Sequence, residues 1–396
     1  MTICMSSDFA DRAVAQINLA AFANNIERVR AACSGQSYLP IIKANGYGHG
    51  LESIAGALLA HAERLSQFSN ALEGCAVAAF DEAQRLRDCG WDRPIVLLPG
   101  FIDLAELKEC RRLGLDPVIH SPHQVALLLA QPEGITRVWL KANTGMNRLG
   151  LNAAAWREAY NALAALPSLD VVAMSHLACA DELDSPATTN QRGAFDSLLA
   201  GVGPLRKTLA ASGGILAWPQ THYDIVRPGI MLYGSSPFAA RSAQSFELAP
   251  VMTLKSRLIA VNALNAGDAV GYGATFVADK PMRIGVVSIG YGDGYPRKAP
   301  TGTPVLVETA TGRQRTSLVG RVSMDMITID VTDLQVDVGA NVVLWGDGLP
   351  ADDIAQHCQT SAYELFCQVT ARVPRQTSCA VTRSALFSTS NPDGEI

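Results

Sequence analysis

No two of the nine cysteines stand in a CxxC spacing. Cys4, Cys33, Cys75, Cys89, Cys110, Cys179, Cys358, Cys367 and Cys379 are odd in number and scattered along 396 residues. That distribution argues against a disulfide framework or a zinc site and fits free thiols in a reducing compartment. Nor does any apolar run reach the ~18 residues needed to span a bilayer. The first twelve residues, MTICMSSDFADR, hold acids ahead of the first arginine and lack a long apolar core, so no secretory signal is read there. Basic residues are not in excess: 32 Lys and Arg face 37 Asp and Glu, a formal net charge of −5. This balance argues against a nucleic-acid polyanion as the main ligand. No internal repeat is visible. What remains is the expectation of a cytoplasmic enzyme with no membrane and no nucleic acid as partner.

Apolar material is plentiful, at 48% of the residues, which is enough for sizeable cores. The length suggests two domains. Over residues 20–245, short apolar runs alternate with alanine- and leucine-rich helical stretches. Eight runs read as strands: 38–43 (YLPIIK), 75–79 (CAVAA), 94–98 (PIVLL), 115–119 (LDPVI), 136–141 (TRVWLK), 171–176 (VVAMSH), 208–211 (TLAA) and 224–227 (DIVR). Helical patterns such as 81–89 and 122–130 lie between them. Eight βα units predict an α/β fold with an N-terminal TIM (β/α)8 barrel. From 246 to 396 the texture becomes mainly β, with short β-branched runs at 283–288, 326–331 and 341–344 separated by Gly and Asp turns. Only 351–358 and 362–369 look helical within it. A strand at 13–19 precedes the barrel pattern and is a candidate to pair with the β domain. The last dozen residues read as a frayed tail.

Chemistry gathers first at 41–50, IIKANGYGHG. Lys43 ends an apolar strand-like run, which in a barrel is the C-terminal rim where catalytic groups collect. Partial desolvation disfavours the charged form of a lysine and makes it an amine nucleophile toward an aldehyde. The glycines that follow let backbone approach a bulky ligand. More motifs follow in order: 141–150 (KANTGMNRLG), 175–181 (SHLACAD), 211–214 (ASGG), 227–234 (RPGIMLYG), 270–276 (VGYGATF), 289–297 (IGYGDGYPR), 320–325 (GRVSMD) and 363–367 (YELFC).

Together these motifs resemble the alanine racemases, which are fold-type III pyridoxal-phosphate enzymes, over nearly the whole chain. The resemblance implies that Lys43 carries pyridoxal 5'-phosphate and serves as one of two catalytic bases in the interconversion of L- and D-alanine. The second base is the tyrosine of the GYGAT motif, here Tyr272. It reaches the active site of the other subunit of an obligatory homodimer. A base on each side of Cα is what racemisation requires. By the same resemblance Tyr47, Ser212, Gly229, Ile230 and Tyr363 hold the cofactor phosphate, and Arg227 donates to its ring nitrogen. An arginine does not give up a proton, so the ring becomes a weaker electron sink than one facing an aspartate. His176 contacts the cofactor and bonds Arg227. Arg148 stands by the ring oxygen and the substrate carboxylate, and Lys141, often carbamylated in this family, bridges to it. The Met324 amide binds the substrate carboxylate, while Tyr291 and Asp325 line the entrance. No metal is implied.

Three departures are visible. Ala211-Ser212-Gly213 stands where some members have Asn-Ser-Ala, with the serine kept. Thr208 falls near a histidine that supports the catalytic tyrosine in some members, which leaves that partner open. Ser323 replaces a common cysteine in GR-x-C-M-D. Three other readings stay open. A fold-type III decarboxylase typically carries C-E-S-x-D where this chain reads GRVSMD. A non-catalytic pyridoxal-phosphate-binding protein would have the barrel alone, and a broader racemase would also accept serine or other amino acids. A biosynthetic or a catabolic role fits equally well.

Overall fold

The computed structural model describes residues 12–33, 35–64 and 72–378. Cys4, Cys379 and the tail read as frayed lie outside the described residues. Eight parallel strands form one sheet in the order Ser37–Tyr38, Ile225–Arg227, Lys207–Ala211, Asp170–Met174, Arg137–Lys141, Leu115–Ile119, Ile95–Leu97 and Cys75–Val77. Its two ends meet through parallel bridges at Tyr38–Leu72 and Ile41–Ala76. The Ile42 N–H donates to the Ala76 carbonyl at 3.0 Å, and the Ala76 N–H to Pro40 at 2.9 Å. The sheet therefore curls into a TIM-type barrel. Its strands are buried on both faces, as in Ile95–Leu97, which is why they read as short, mainly apolar runs.

The first strand is shorter than its apolar run. Regular pairing covers only Ser37–Tyr38, because Pro40 has no N–H to donate and the chain leaves the strand direction at Lys43.

Local chemistry sets the outer helices. Leu104–Leu113 starts at Asp103, whose carboxylate accepts from the N–H groups of Ala105 and Glu106, and stops at left-handed Gly114. Pro122–Ala130 has proline in its first turn, behind the Ser121 cap.

The second layer is a β sheet in the order Gly312–Ser317, Pro304–Thr309, Asn341–Trp345, Met252–Leu264, Ala13–Asn18 and Arg375–Ser378. Met282–Val287 branches from Met252–Leu264 and pairs with Ile327–Asp330. Ala13–Asn18 runs antiparallel to Met252–Leu264 and parallel to Arg375–Ser378. The short helices Ala351–His357 and Ala362–Gln368 follow the sheet strands. No helix among the described residues is long and apolar enough to cross a membrane.

Helix Ala362–Gln368 touches the barrel where Lys43 is held. Gly48 has φ +76, and a Cβ there would lie 2.0 Å from the Phe366 carbonyl oxygen. The Arg375 guanidinium bonds the Gly48 carbonyl at 3.1 Å. Gly48→Ala is expected to destabilise the protein by at least about 2 kcal/mol, since the left-handed cost and a backbone clash add. A thermal melt checks this; an unchanged midpoint would mean that the contact yields freely.

Candidate active site

Lys43 begins an unusual turn. Ala44, Asn45, Gly46 and Tyr47 have φ of 54, 55, 61 and 49°, a full left-handed turn of which only one residue is glycine. Such backbone is unfavourable for L-residues and persists where its surroundings over-determine it. Here the Gly46 N–H donates to Ile42 and the Gly48 N–H to Ala44, both at 2.8 Å. The turn carries Tyr47 beneath the barrel mouth. Its ring stacks on Tyr233 at 4.7 Å and lies 5.8 Å from Tyr363. Buried His49 pairs through Nδ1 with the Tyr47 carbonyl at 2.8 Å, and burial pulls its pKa down to about 4, so it is neutral.

Lys141 and Arg227 end their own barrel strands, and His176 and Ser212 follow just after theirs. All therefore face the C-terminal mouth with Lys43. Arg227 is 2% exposed. Its Nη1 donates to Thr208 Oγ1 at 2.5 Å, and its Nη2 donates to the Ser175 and Leu209 carbonyls at 2.7 and 3.1 Å and pairs with His176 Nδ1 at 3.3 Å. The Thr208 hydroxyl donates to the Ile225 carbonyl at 2.7 Å, so its lone pair is left to face Arg227. Thr208 thus orients Arg227, a role its place in the sequence did not reveal.

Electrostatics are one-sided. The Lys141 pKa falls to about 8 through burial, then through the charges of Arg227, Arg148 and Lys43. His176 falls to about 3 through burial and through Arg227, Lys141, Arg148 and Lys43. Lys43 is lowered by burial and by Arg148, against the opposing effect of Cys367 and Glu82. The charges that lower Lys141 are those of three cations, Arg227, Arg148 and Lys43.

Next to them is a ring of donors. Ser212 Oγ accepts from the Gly229 N–H at 3.0 Å and the Met231 N–H at 3.4 Å. Ile230 is fully buried in the short turn Ile230–Tyr233. A Cβ on Gly229 would stand 3.0 Å from the Tyr47 hydroxyl, so glycine keeps that space open.

The residues of the β domain are placed differently. Tyr272 lies on a turn between the strands Ala269–Val270 and Phe276–Val277, 71% exposed, and its hydroxyl makes no hydrogen bond among the described residues. Met324 is exposed as well. Tyr291 donates its N–H to Ser323 at 3.1 Å, with the Arg297 guanidinium 5.8 Å from its ring. Asp325 accepts from Arg372 at 2.7 Å, and its carbonyl accepts from Arg12 at 2.9 Å. Arg12 and Arg372 also pair with buried Asp293. Sequence reasoning missed this network, since partners 281 residues apart leave no local signal. It also missed Glu82 and Arg85, which hold Asn45.

Two family models cover the chain. One, described as alanine racemase, N-terminal domain, matches residues 17–237, and one described as alanine racemase, C-terminal domain, matches 251–377. The alanine racemase of Alcanivorax borkumensis is 46% identical over 91% of this chain and 98% of its own length. The catabolic alanine racemase of Pseudomonas putida is 44% identical over 91% of this chain and 97% of its own. Among solved structures, the biosynthetic alanine racemase of Pseudomonas aeruginosa superposes with a TM-score of 0.86 at 41% identity, over 93% of this chain and all of its own. The alanine racemase of Bartonella henselae with covalently bound pyridoxal phosphate matches with a TM-score of 0.81 at 26% identity, over 93% of this chain and 99% of its own. This chain belongs to the alanine racemase family, isomerases that act on amino acids.

Proposed function

We propose that the protein interconverts L- and D-alanine with pyridoxal 5'-phosphate, by a two-base mechanism in a cytoplasmic homodimer whose active sites are shared. The observation that carries this reading is the gathering of Lys43, Lys141, Arg148 and Arg227 at one barrel mouth, where the charges of the other three lower the Lys141 pKa. Such a cluster calls for a bound anion. The residues present fit the cofactor. Lys43 is biased toward the neutral amine that an aldehyde requires. Tyr47, Ser212, Tyr363 and the backbone at Gly229 and Ile230 would hold the phosphate, on the loops after the last two barrel strands. Arg227, buried and aimed by Thr208, would donate to the ring nitrogen. His176, kept neutral by burial and then by the cations around it, would lie against the cofactor as a hydrogen-bonding neighbour and not as a charge.

When bound, the cofactor supplies an aldehyde for Lys43 and a conjugated ring that draws electrons from the substrate's Cα. The chain's own groups do the rest. Arg148 and the Met324 amide would orient the substrate carboxylate, while Tyr291 and Asp325 would border the way in. Lys43 Nζ takes or returns the Cα proton on one face, and the partner subunit's Tyr272 hydroxyl does so on the other. The exposure of Tyr272, Met324, Met326 and Val277 in the single chain supports a second copy covering them.

The test is to load the chain with pyridoxal 5'-phosphate and incubate it with L-alanine in deuterium oxide. D-alanine should accumulate with solvent deuterium at Cα, and serine in a parallel tube reads the breadth of specificity. Carbon dioxide release, or retention of the Cα proton, would sink the proposal.

Lys141 is proposed to carry a carbamate that pairs with Arg148. As a plain amine, its protonation in the folded chain carries a cost. That cost is complete below about pH 8 and fades as pH rises toward the ordinary value of 10.5. In bicarbonate-free buffer at pH 7, Lys141→Met should therefore be more stable than wild type, by up to roughly 3 kcal/mol. Added bicarbonate should raise the wild-type melting temperature and leave Lys141→Met where it was. A wild type indifferent to bicarbonate would leave Lys141 an unmodified amine.

A further inference from the structure

Glu82 is an acid at 6% exposure with no part in the reaction as described. It lies in the first turn of helix Phe80–Asp88. One carboxylate oxygen accepts from the Ala78 N–H and the other from the Asn45 N–H, each at 3.0 Å. Asn45 is the second residue after Lys43, at φ 55° in the left-handed turn. Three positions on, Arg85 projects from the same helix face. It donates to Asn45 Oδ1 at 2.9 Å and is tied to Glu52 at 2.8 and 3.0 Å. Asn45 Oδ1 also accepts from the Leu51 N–H at 3.1 Å. One barrel helix thus grips both the backbone and the side chain of a residue in an unfavourable conformation, directly beside Lys43. The charge of Glu82 also bears on Lys43, whose other charged or titratable neighbours are Arg148, Cys367, Lys141 and His176. Burial and Arg148 drive Lys43 toward the neutral amine, and Glu82 opposes them.

We propose that Glu82 is a positioning residue for Lys43: its carboxylate pins Asn45 in the left-handed turn and so fixes where the Lys43 amine stands. This rests on the reading of Lys43 as a catalytic base. A clamp through the backbone suits a lysine that must meet one face of Cα, because small misplacements of a reacting group are costly in rate.

Two variants test the clamp, one lacking the charge and one lacking the reach. Glu82→Gln keeps the shape but removes the charge and turns an amide N–H toward an N–H donor. Glu82→Asp keeps the charge but is too short to reach both donors. In Glu82→Gln, kcat for alanine should fall on the order of 10²-fold with little change in KM. The limb of the pH profile on which activity rises as Lys43 loses its proton should move to lower pH. In Glu82→Asp, kcat should fall while that limb keeps its wild-type position. A readout without turnover is the rate at which the full-length chain, stripped of cofactor, takes up pyridoxal 5'-phosphate as pH is varied, since uptake needs the neutral amine. Its midpoint should move down in Glu82→Gln and stay in Glu82→Asp. A merely structural role would lower the folded fraction and move neither midpoint. Wild-type kcat with unmoved midpoints in Glu82→Gln overturns the proposal. Should circular dichroism show that Glu82→Gln does not fold, Glu82→Asp decides, and an unchanged kcat there overturns the clamp. An active Lys43→Ala, in contrast, would overturn the underlying reading whatever Glu82 does.

Discussion

Lys43→Ala is expected to lower kcat/KM for both enantiomers of alanine by about 10⁴-fold or more, since on the proposed reading one substitution removes a general base and the cofactor's covalent anchor together. The effect should be equal in both directions within error, because the overall equilibrium between mirror-image amino acids does not depend on the catalyst. The visible absorption of the bound cofactor should change with it. Cofactor should still be retained, because Ser212 and the Gly229 backbone belong to other strands and are untouched. Polarimetry and an absorbance scan of the same preparation check both points. Normal turnover with normal absorbance would sink the assignment of Lys43.

On the proposed reading, Tyr272→Phe should lower racemisation equally in both directions, but in deuterium oxide it should slow exchange of the Cα proton of one enantiomer far more than that of the other, because the lysine face stays intact. The larger test is complementation. Tyr272 stands 71% exposed on the β domain, and Lys43 lies at the barrel mouth. A C₂ pair would give two equivalent sites, each with Lys43 from one chain and Tyr272 from its partner. Mixing inactive Lys43→Ala with inactive Tyr272→Phe subunits should then restore activity. Random pairing makes about half the dimers mixed, each with one intact site, so about a quarter of wild-type activity should return. If subunit exchange is verified and nothing returns, both bases come from one chain and the shared site is wrong.

Legibility in the sequence followed physical locality. The barrel strands could be read because parallel strands covered on both faces favour apolar residues, and Ile95–Leu97 and Cys75–Val77 are apolar throughout, while Leu115–Ile119 breaks its run only with buried Asp116. Lys43 could be read because it ends such a run ahead of closely spaced glycines. The left-handed turn could not. Gly46 and Gly48 hint at it, but Ala44 and Tyr47 adopt positive φ with no compositional sign. Glu82 was hidden for another reason. An acid in a helix's first turn already has an explanation in the helix dipole, so nothing marked it as a clamp on a distant backbone. Thr208 was read only as a missing histidine, and its bond to Arg227 needs the register of two neighbouring strands. The Arg12, Asp293 and Arg372 cluster joins both ends of the described chain and is written in no local pattern.

The strand Ala13–Asn18 lies inside the β sheet, between Met252–Leu264 and Arg375–Ser378. During synthesis it leaves the ribosome ahead of the barrel, yet its antiparallel neighbour is made only after the whole barrel. At ordinary translation speeds the wait is on the order of tens of seconds. The barrel strands can pair with one another in that time, while the early strand stays an open edge with unmatched N–H and C=O groups. The sheet can be sealed only when Arg375–Ser378 has emerged, so the last-made strand covers the first. Assembly of this sheet is thereby delayed until its own last strand has been made.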